Sequence, residues 1–450
     1  MSEDQKKSGN FIAIVTMFAL YAMAGFVTFL AAPAGDVWKY KLPGGSNVLG
    51  MLGNSMNFIA YLIMGYPAGK LLQKIGYKKT ALLATGSGAL GVLVQVLSGK
   101  LEASMGLIGA VPAAWIIYLL GALVSGFSNC LLNTVICPML NQIVGGGNRG
   151  NQLNLGGSAF NSLCGASAPI VLGSIVGKIT KDTQFADVSG VLLAAAAVFI
   201  VATIIISLLP IQNPTSRSSN VVLEKSALAF RHCRFGVIGI FLYMGIEIGV
   251  QNYMRLWLQP DNPASPLLKI AGISVEQAAV IAGSTAATFM VLMLVGRLLG
   301  AAIGGKVSSR AMCLGCAGSG TLLCLVGALM GSFMPETTVS LPLFQSLNKI
   351  AMTQVPLAAL FFIVAGLSAS VMWGVIFNLA TEGLGKYTEQ AAGLFMVMVV
   401  GGAILPSLQS WIADNFGFMV SYIVPIVCFA YLFVYALAFS KNVNTDIKVD

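Results

Sequence analysis

Apolar residues arrive along this chain in long blocks separated by short polar intervals. Twelve blocks lie near residues 11–34, 47–69, 80–98, 113–143, 151–177, 188–209, 235–258, 274–303, 309–332, 354–380, 388–412 and 418–440. About 20 apolar residues carry a helix across the hydrocarbon core of a bilayer. Each block therefore predicts one membrane-spanning helix. The first follows a short polar stretch, MSEDQKKSGN, and exceeds 20 residues, which is longer than a signal-peptide core. It is expected to be retained. The polar intervals are short, and the largest, near 210–234, carries Arg217, Lys225, Arg231 and Arg234. It reads as a cytoplasmic linker (211–234) between two six-helix halves, 1–210 and 235–450.

Composition agrees with an all-α polytopic membrane protein. Hydrophobic residues make up 57% and charged residues 9%, with a mean hydropathy of +0.85. Soluble domains carry about 25% charged residues. The net charge of +9 is no sign of a nucleic-acid partner, because Lys and Arg sit in clusters between the apolar blocks. With the N-terminus inside, the inner loops hold more than twice as many basic residues as the outer ones, including Lys70, Lys74, Lys78, Lys79, Lys306 and Arg310. By the positive-inside rule both termini are cytoplasmic. A single histidine, His232, rules out a multi-histidine metal site, and the eight cysteines are scattered, mostly within spans. No metal or cofactor is expected, and no ATP-binding element is visible.

An internal repeat supports the two halves. GSG at Gly86–Gly88 recurs at Gly318–Gly320, and the same offset of 232 residues maps Lys74 onto Lys306 and Lys78 onto Arg310. Parallel repeats of six helices are the layout of major facilitator transporters, with the substrate between the halves near the midplane. GSGALG at 86–91 also fits a nucleotide-loop pattern, but it lies inside a span. Small residues there point to close helix packing.

The stretch YLIMGYPAGKLLQKIGYKKT, residues 61–80, resembles the loop between the second and third helices of that superfamily. Gly69, Gly76, Lys78 and Lys79 occupy motif positions, and Gln73 stands where many members have Asp. VGRLLGAAIGGKVSSR, residues 295–310, is similar to its counterpart in the second half. LLNTVICP (131–138), LNLGGSAFNSL (153–163), YMGIEIG (243–249) and EGLGKYTEQAAGLFMVMVVGGAILPSLQ (382–409) narrow the resemblance to the fucose–galactose–glucose:proton symporter family, over about residues 15–435. The resemblance implies a sugar carrier. Departures accompany the matches. Asn133 stands where the family has a Glu on the fourth span, and Cys137 replaces the Asn before a proline. The first span has no acid at the family's Asp position, near Phe29. Ser158 replaces a Gln on the fifth span while Asn154 and Asn161 remain, and Ala369 and Gly374 replace an Asn and a Pro on the tenth.

The residues themselves point to the membrane interior. Glu247 lies near the middle of the seventh span; the other fifteen carboxylates fall in loops or near helix ends. An intramembrane acid costs about 2.5–3.5 kcal/mol on insertion scales and by default marks a functional site. Desolvation favours the neutral acid, so Glu247 is the proton-coupling candidate. A structural or gating role and direct substrate contact stay open beside it. Gln251 and Arg255 follow at i+4 and i+8, a polar stripe on one helix face. A sugar needs neutral hydrogen-bonding groups and flat aromatic faces. The candidates are Asn129, Asn133, Asn154, Ser158, Asn161, Gln251, Asn252, Trp373 and Asn378. Trp373 is mid-span, away from the interfaces where Trp usually anchors. Each Asn has an alternative role as an interhelical bond. Gly69, Lys74, Gly76, Lys78, Arg297 and Lys306 are candidates for the inner gating loops, with Arg297 and Lys306 also readable as snorkelling orientation charges.

The expectation is a secondary transporter of a monosaccharide in the bacterial inner membrane, working as a monomer by alternating access, with a proton gradient as the candidate driving force. Sodium coupling, uncoupled facilitation, export of another small polar solute, and sugar sensing without transport remain alternatives. Enzymatic chemistry is not expected, because one mid-membrane acid makes no catalytic cluster.

Overall fold

The computed structural model describes residues 3–43, 46–102, 104–143, 147–176, 183–208, 225–304, 306–346 and 349–444. Most of the expected linker, 209–224, lies outside the described residues. The first six spans are α1 (Glu3–Lys39), α2 (Asn47–Leu101, two spans), α3 (Ala113–Ile143), α4 (Gly147–Val176) and α5 (Ser189–Leu208). Then come α6 (Arg231–Leu258), α7 (Val275–Ile303) and α8 (Ser309–Phe333). The tenth span is broken into α9 (Leu357–Ser370) and α10 (Met372–Thr381), the eleventh into α11 (Thr388–Met398) and α12 (Gly401–Phe416), and the last into α13 (Phe418–Ser421) and α14 (Ile423–Val434). Eleven of these stretches are long and apolar enough to cross a membrane, and the 30-residue α4 packs among them where the fifth span is expected. The chain is a multi-pass integral membrane protein. Large apolar side chains such as Leu62, Leu90 and Leu322 face outward, where lipid rather than water is their solvent.

Short connections force successive spans to run in opposite directions and create two faces. One carries Lys74, Lys78, Lys306 and Arg310 and is called here the basic face; the opposite one is the far face. At the basic face α2 turns between its two spans at Gly76, whose φ of 79° and ψ of 174° leave the helical region. Only glycine takes such a φ without steric cost.

The repeat seen in the sequence has a packing counterpart. A Cβ at Gly88 would collide with the Phe199 ring, and one at Gly320 with the Phe429 ring. In each half a third-span glycine thus seats an aromatic ring from the sixth span. Lys78 Nζ donates to the Ser207 carbonyl at 2.7 Å, and Arg310 Nε to the Ala436 carbonyl at 2.8 Å. Both cations satisfy carbonyls at the C-terminal end of a sixth helix, which is also the negative end of its dipole.

The two sets of spans meet along two seams, α2 against α11 and α12, and α4 against α7. At the far face a hairpin of two-residue strands, β1 (Leu107–Ile108) and β2 (Val111–Pro112), joins α2 to α3. A longer antiparallel hairpin of β3 (Thr338–Ser346) and β4 (Lys349–Pro356), joining α8 to α9, packs its first strand on both α7 and α4. Its eight- and nine-residue strands were expected only as a connection. They are too short to span, and their inward positions, Leu343 and Val355, are buried.

Candidate functional site

The intramembrane acid is not alone. Glu247 and Arg297 are both buried, at 9% and 8% exposure. Arg297 Nη2 donates to Glu247 Oε1 at 3.0 Å. The sequence places Arg297 two turns from the C-terminal end of α7, at the basic face. Helical side chains tilt toward the N-terminus of their own helix, so this guanidinium reaches back into the interior. The structure therefore pairs Arg297 with Glu247, whereas Lys306, the other second-half candidate charge of the inner loops, is exposed at the basic face.

Arg297 also ties the molecule together. Its Nη1 donates to the Ser158 carbonyl at 2.8 Å and to Ser162 Oγ at 2.6 Å, both on α4 across the seam. Its Nε donates to the Ser370 carbonyl at 3.3 Å. Ser370 ends α9, and the chain passes through Val371 (φ −94°, ψ −6°) before α10 begins. A broken helix exposes backbone carbonyls, and such breaks mark the binding sites of many transporters. Four donor contacts thus anchor one guanidinium to spans five, seven and ten. Two buried charges are tolerated only with such pairing and hydrogen bonding.

Around this pair lie groups suited to a small polar ligand. Trp373, the second residue of α10, is half-buried, and its ring meets that of Tyr243 edge-on at 6.3 Å. Tyr243 precedes Glu247 by one turn, and its buried hydroxyl lies beside the Glu247–Arg297 pair. From the first set of spans, Asn133 Nδ2 donates to Tyr61 Oη at 2.7 Å. Tyr61 lies close enough to Glu247 to feel its charge. Gly374 faces open space, and Asn378 is exposed one turn further on.

The structure thus brings together Glu247, Ser158, Arg297, Asn133 and Trp373. Other candidates have local partners. Asn129 Nδ2 donates to Thr28 Oγ1 at 3.1 Å, and Asn161 Nδ2 to the Tyr21 carbonyl at 3.2 Å. Gln251 and Asn252 donate to the carbonyls of Glu247 and Ile248 on their own helix. The Asn154 side chain lies outside the described residues. At the basic face Lys74 and Lys306 are exposed, and Gly69 has open space where a Cβ would stand.

Tyr61, Tyr243, Ser162 and Ser370 were missed. Tyr61 carries a signal that was available: it sits mid-span, as Trp373 does, away from the interface where aromatic residues anchor. Ser162 falls one turn after Ser158, on the same face. The role of Ser370 lies in its backbone and leaves no trace in residue type.

Comparison with known proteins bears on this arrangement. No family model matches the chain. The glucose/galactose transporter of Brucella abortus (strain 9-941) is 30% identical over 98% of this chain and 97% of its own length. The L-fucose-proton symporter of Escherichia coli (strain K12) is 22% identical, with 96% and 94% covered. Among solved structures, that of the E. coli fucose:proton symporter FucP superposes with a TM-score of 0.66 at 18% identity, covering 96% of this chain and 98% of that one.

Proposed function

Since this chain belongs to the fucose–galactose–glucose:proton symporter family of the major facilitator superfamily, we propose that it imports a neutral monosaccharide of the glucose, galactose or fucose type by alternating access, driven by protons through Glu247. The observation that carries the reading is the Glu247–Arg297 pair, buried beside the α4–α7 seam. The pair is electrically neutral, so the site offers no net charge to bind an ionic solute. Asn133, Tyr61, Tyr243 and Trp373 supply what a sugar requires, neutral hydrogen-bonding groups and aromatic faces for its C–H surface.

The coupling follows from what Arg297 holds. With Glu247 ionised, the guanidinium is fixed between its carboxylate, α4 and the end of α9. A proton on Glu247 removes one anchor and leaves Arg297 as an unpaired buried cation. Its bonds to Ser158 and Ser162 across the seam must then rearrange, and a seam that rearranges is the element alternating access needs. Basic residues cluster at one face, which by the positive-inside rule is the cytoplasmic one. The N-terminus then lies inside, and sugar and proton enter from the far face.

A second reading has its own support. Asn133 stands at the position of a family carboxylate, so one titratable group of a proton relay is missing, and an uncoupled facilitator is its natural outcome. Uptake of labelled D-glucose, D-galactose and L-fucose into proteoliposomes separates the two. Accumulation above equilibrium that requires an inward proton gradient supports symport. Equilibration indifferent to the gradient supports facilitation. Entry of none of the three rejects the substrate class.

A further inference from the structure

A second buried ion pair lies near the far face and has no part in the site above. Asp36, in the last turns of α1, is paired with Arg255, near the end of α6, and the two are 4% and 3% exposed. Gln259 Nε2 also reaches Asp36 Oδ2, at 3.4 Å. The pair joins the first set of spans to the second. Two further contacts cross at the same level. Lys39 Nζ lies 3.3 Å from Asp261 Oδ2. Asp414, near the end of α12, accepts from Ser46 Oγ at 3.1 Å, from the Asn47 backbone N–H at 3.0 Å and from Asn47 Nδ2, and so caps the first turn of α2. Below them Ser55 and Ser407 face each other at 3.1 Å across the α2–α12 seam.

Arg255 is only partly satisfied. Its Nε and Nη2 are buried with no hydrogen-bond partner among the described residues. An unmet guanidinium donor is costly in a closed interior, whereas water would satisfy both if this face opened. Burial thus holds the latch shut through one strong contact while leaving Arg255 something to gain by opening.

We propose that Asp36, Arg255 and Asp414 are the outer gate of the transporter, a charged latch that seals the far face in the state seen here and must release for substrate to enter from outside. The gate rests on the alternating-access reading, but not on which solute is carried. Removing Asp36 strands the buried Arg255 charge. Asp414 is exposed and has no cationic partner among the described residues, and neutralising it takes the anion from the N-terminus of α2 that it holds across the seam. Both changes disfavour the closed state and shift the population toward the open one.

The test is the rate at which Ser407→Cys, in right-side-out membrane vesicles, reacts with a membrane-impermeant thiol reagent, read above the label taken up by the parent chain. Slow labelling is expected in Ser407→Cys alone. Adding Asp36→Asn or Asp414→Asn should raise the rate at least about tenfold, a shift of about 1.4 kcal/mol. Asp36→Glu, which keeps the charge, should remain slow. Rates unchanged in both Asn variants would overturn the gate. If Asp36→Asn fails to reach the membrane, Asp414→Asn decides alone, and an unchanged rate there overturns it. The readout uses no sugar, so it stands or falls apart from the substrate class.

Discussion

Glu247 and Arg297 illustrate how a membrane interior uses charge. Breaking a buried pair by removing one partner costs about 3–5 kcal/mol, whereas replacing both by apolar groups is often neutral or stabilising. Arg297→Ala should therefore lower the thermal stability of the purified protein clearly, because Glu247 is left stranded. The double variant Glu247→Leu with Arg297→Met should recover most of that loss in a melting experiment. It should still transport nothing, and a double variant that transports normally would remove the pair from the mechanism. Tyr61 contributes at this scale as well. Tyr61→Phe removes the acceptor of the Asn133 bond and keeps the ring, so affinity for sugar should weaken by about three- to tenfold, in line with about 0.5–1.5 kcal/mol for one hydrogen bond. A binding titration checks it.

At the scale of elements, glycines set how closely helices approach. Gly88 and Gly320 seat the rings of Phe199 and Phe429. Gly88→Leu and Gly320→Leu should each destabilise the protein by about 1–3 kcal/mol through overpacking, while Gly69→Ala, with open space around it, should leave the melting temperature unchanged. These elements were readable in advance. Twelve apolar blocks mark spans because hydrocarbon thickness dictates their length, and the GSG repeat marked the packing glycines. The break in span ten and the β3–β4 hairpin were not readable. Val371 is not a helix-breaking residue type, and tertiary contacts, such as that of Arg297 with the Ser370 carbonyl, accompany the interruption there. The break in span eleven falls just before the pair Gly401–Gly402, a kink signal the sequence does carry.

At the scale of the whole molecule, the proposed function rests on pairs that only the folded chain creates. Glu247 and Arg297 were each singled out in the sequence, one as a proton carrier and the other as a gate charge. Fifty residues separate them, and nothing in their spacing announces that they meet. Asp36 drew no attention because an acid in the last turns of a helix is ordinary; its burial against Arg255 comes from the packing of the two sets of spans. The two pairs divide the work of alternating access in this account. In the proposed mechanism Arg297 carries the coupling at the centre, and the proposed latch at the far face controls entry.

The proposed mechanism assigns the proton to Glu247, and the neutral variant Glu247→Gln separates that role from a purely structural one. Glutamine imitates the protonated acid in shape and charge, so it should permit the steps that do not require loss of a proton. In proteoliposomes the variant should exchange labelled sugar across the membrane at equilibrium, yet show no accumulation under an inward proton gradient and no sugar-induced proton uptake. A Glu247→Gln protein that accumulates sugar under the gradient as the parent does would contradict the account.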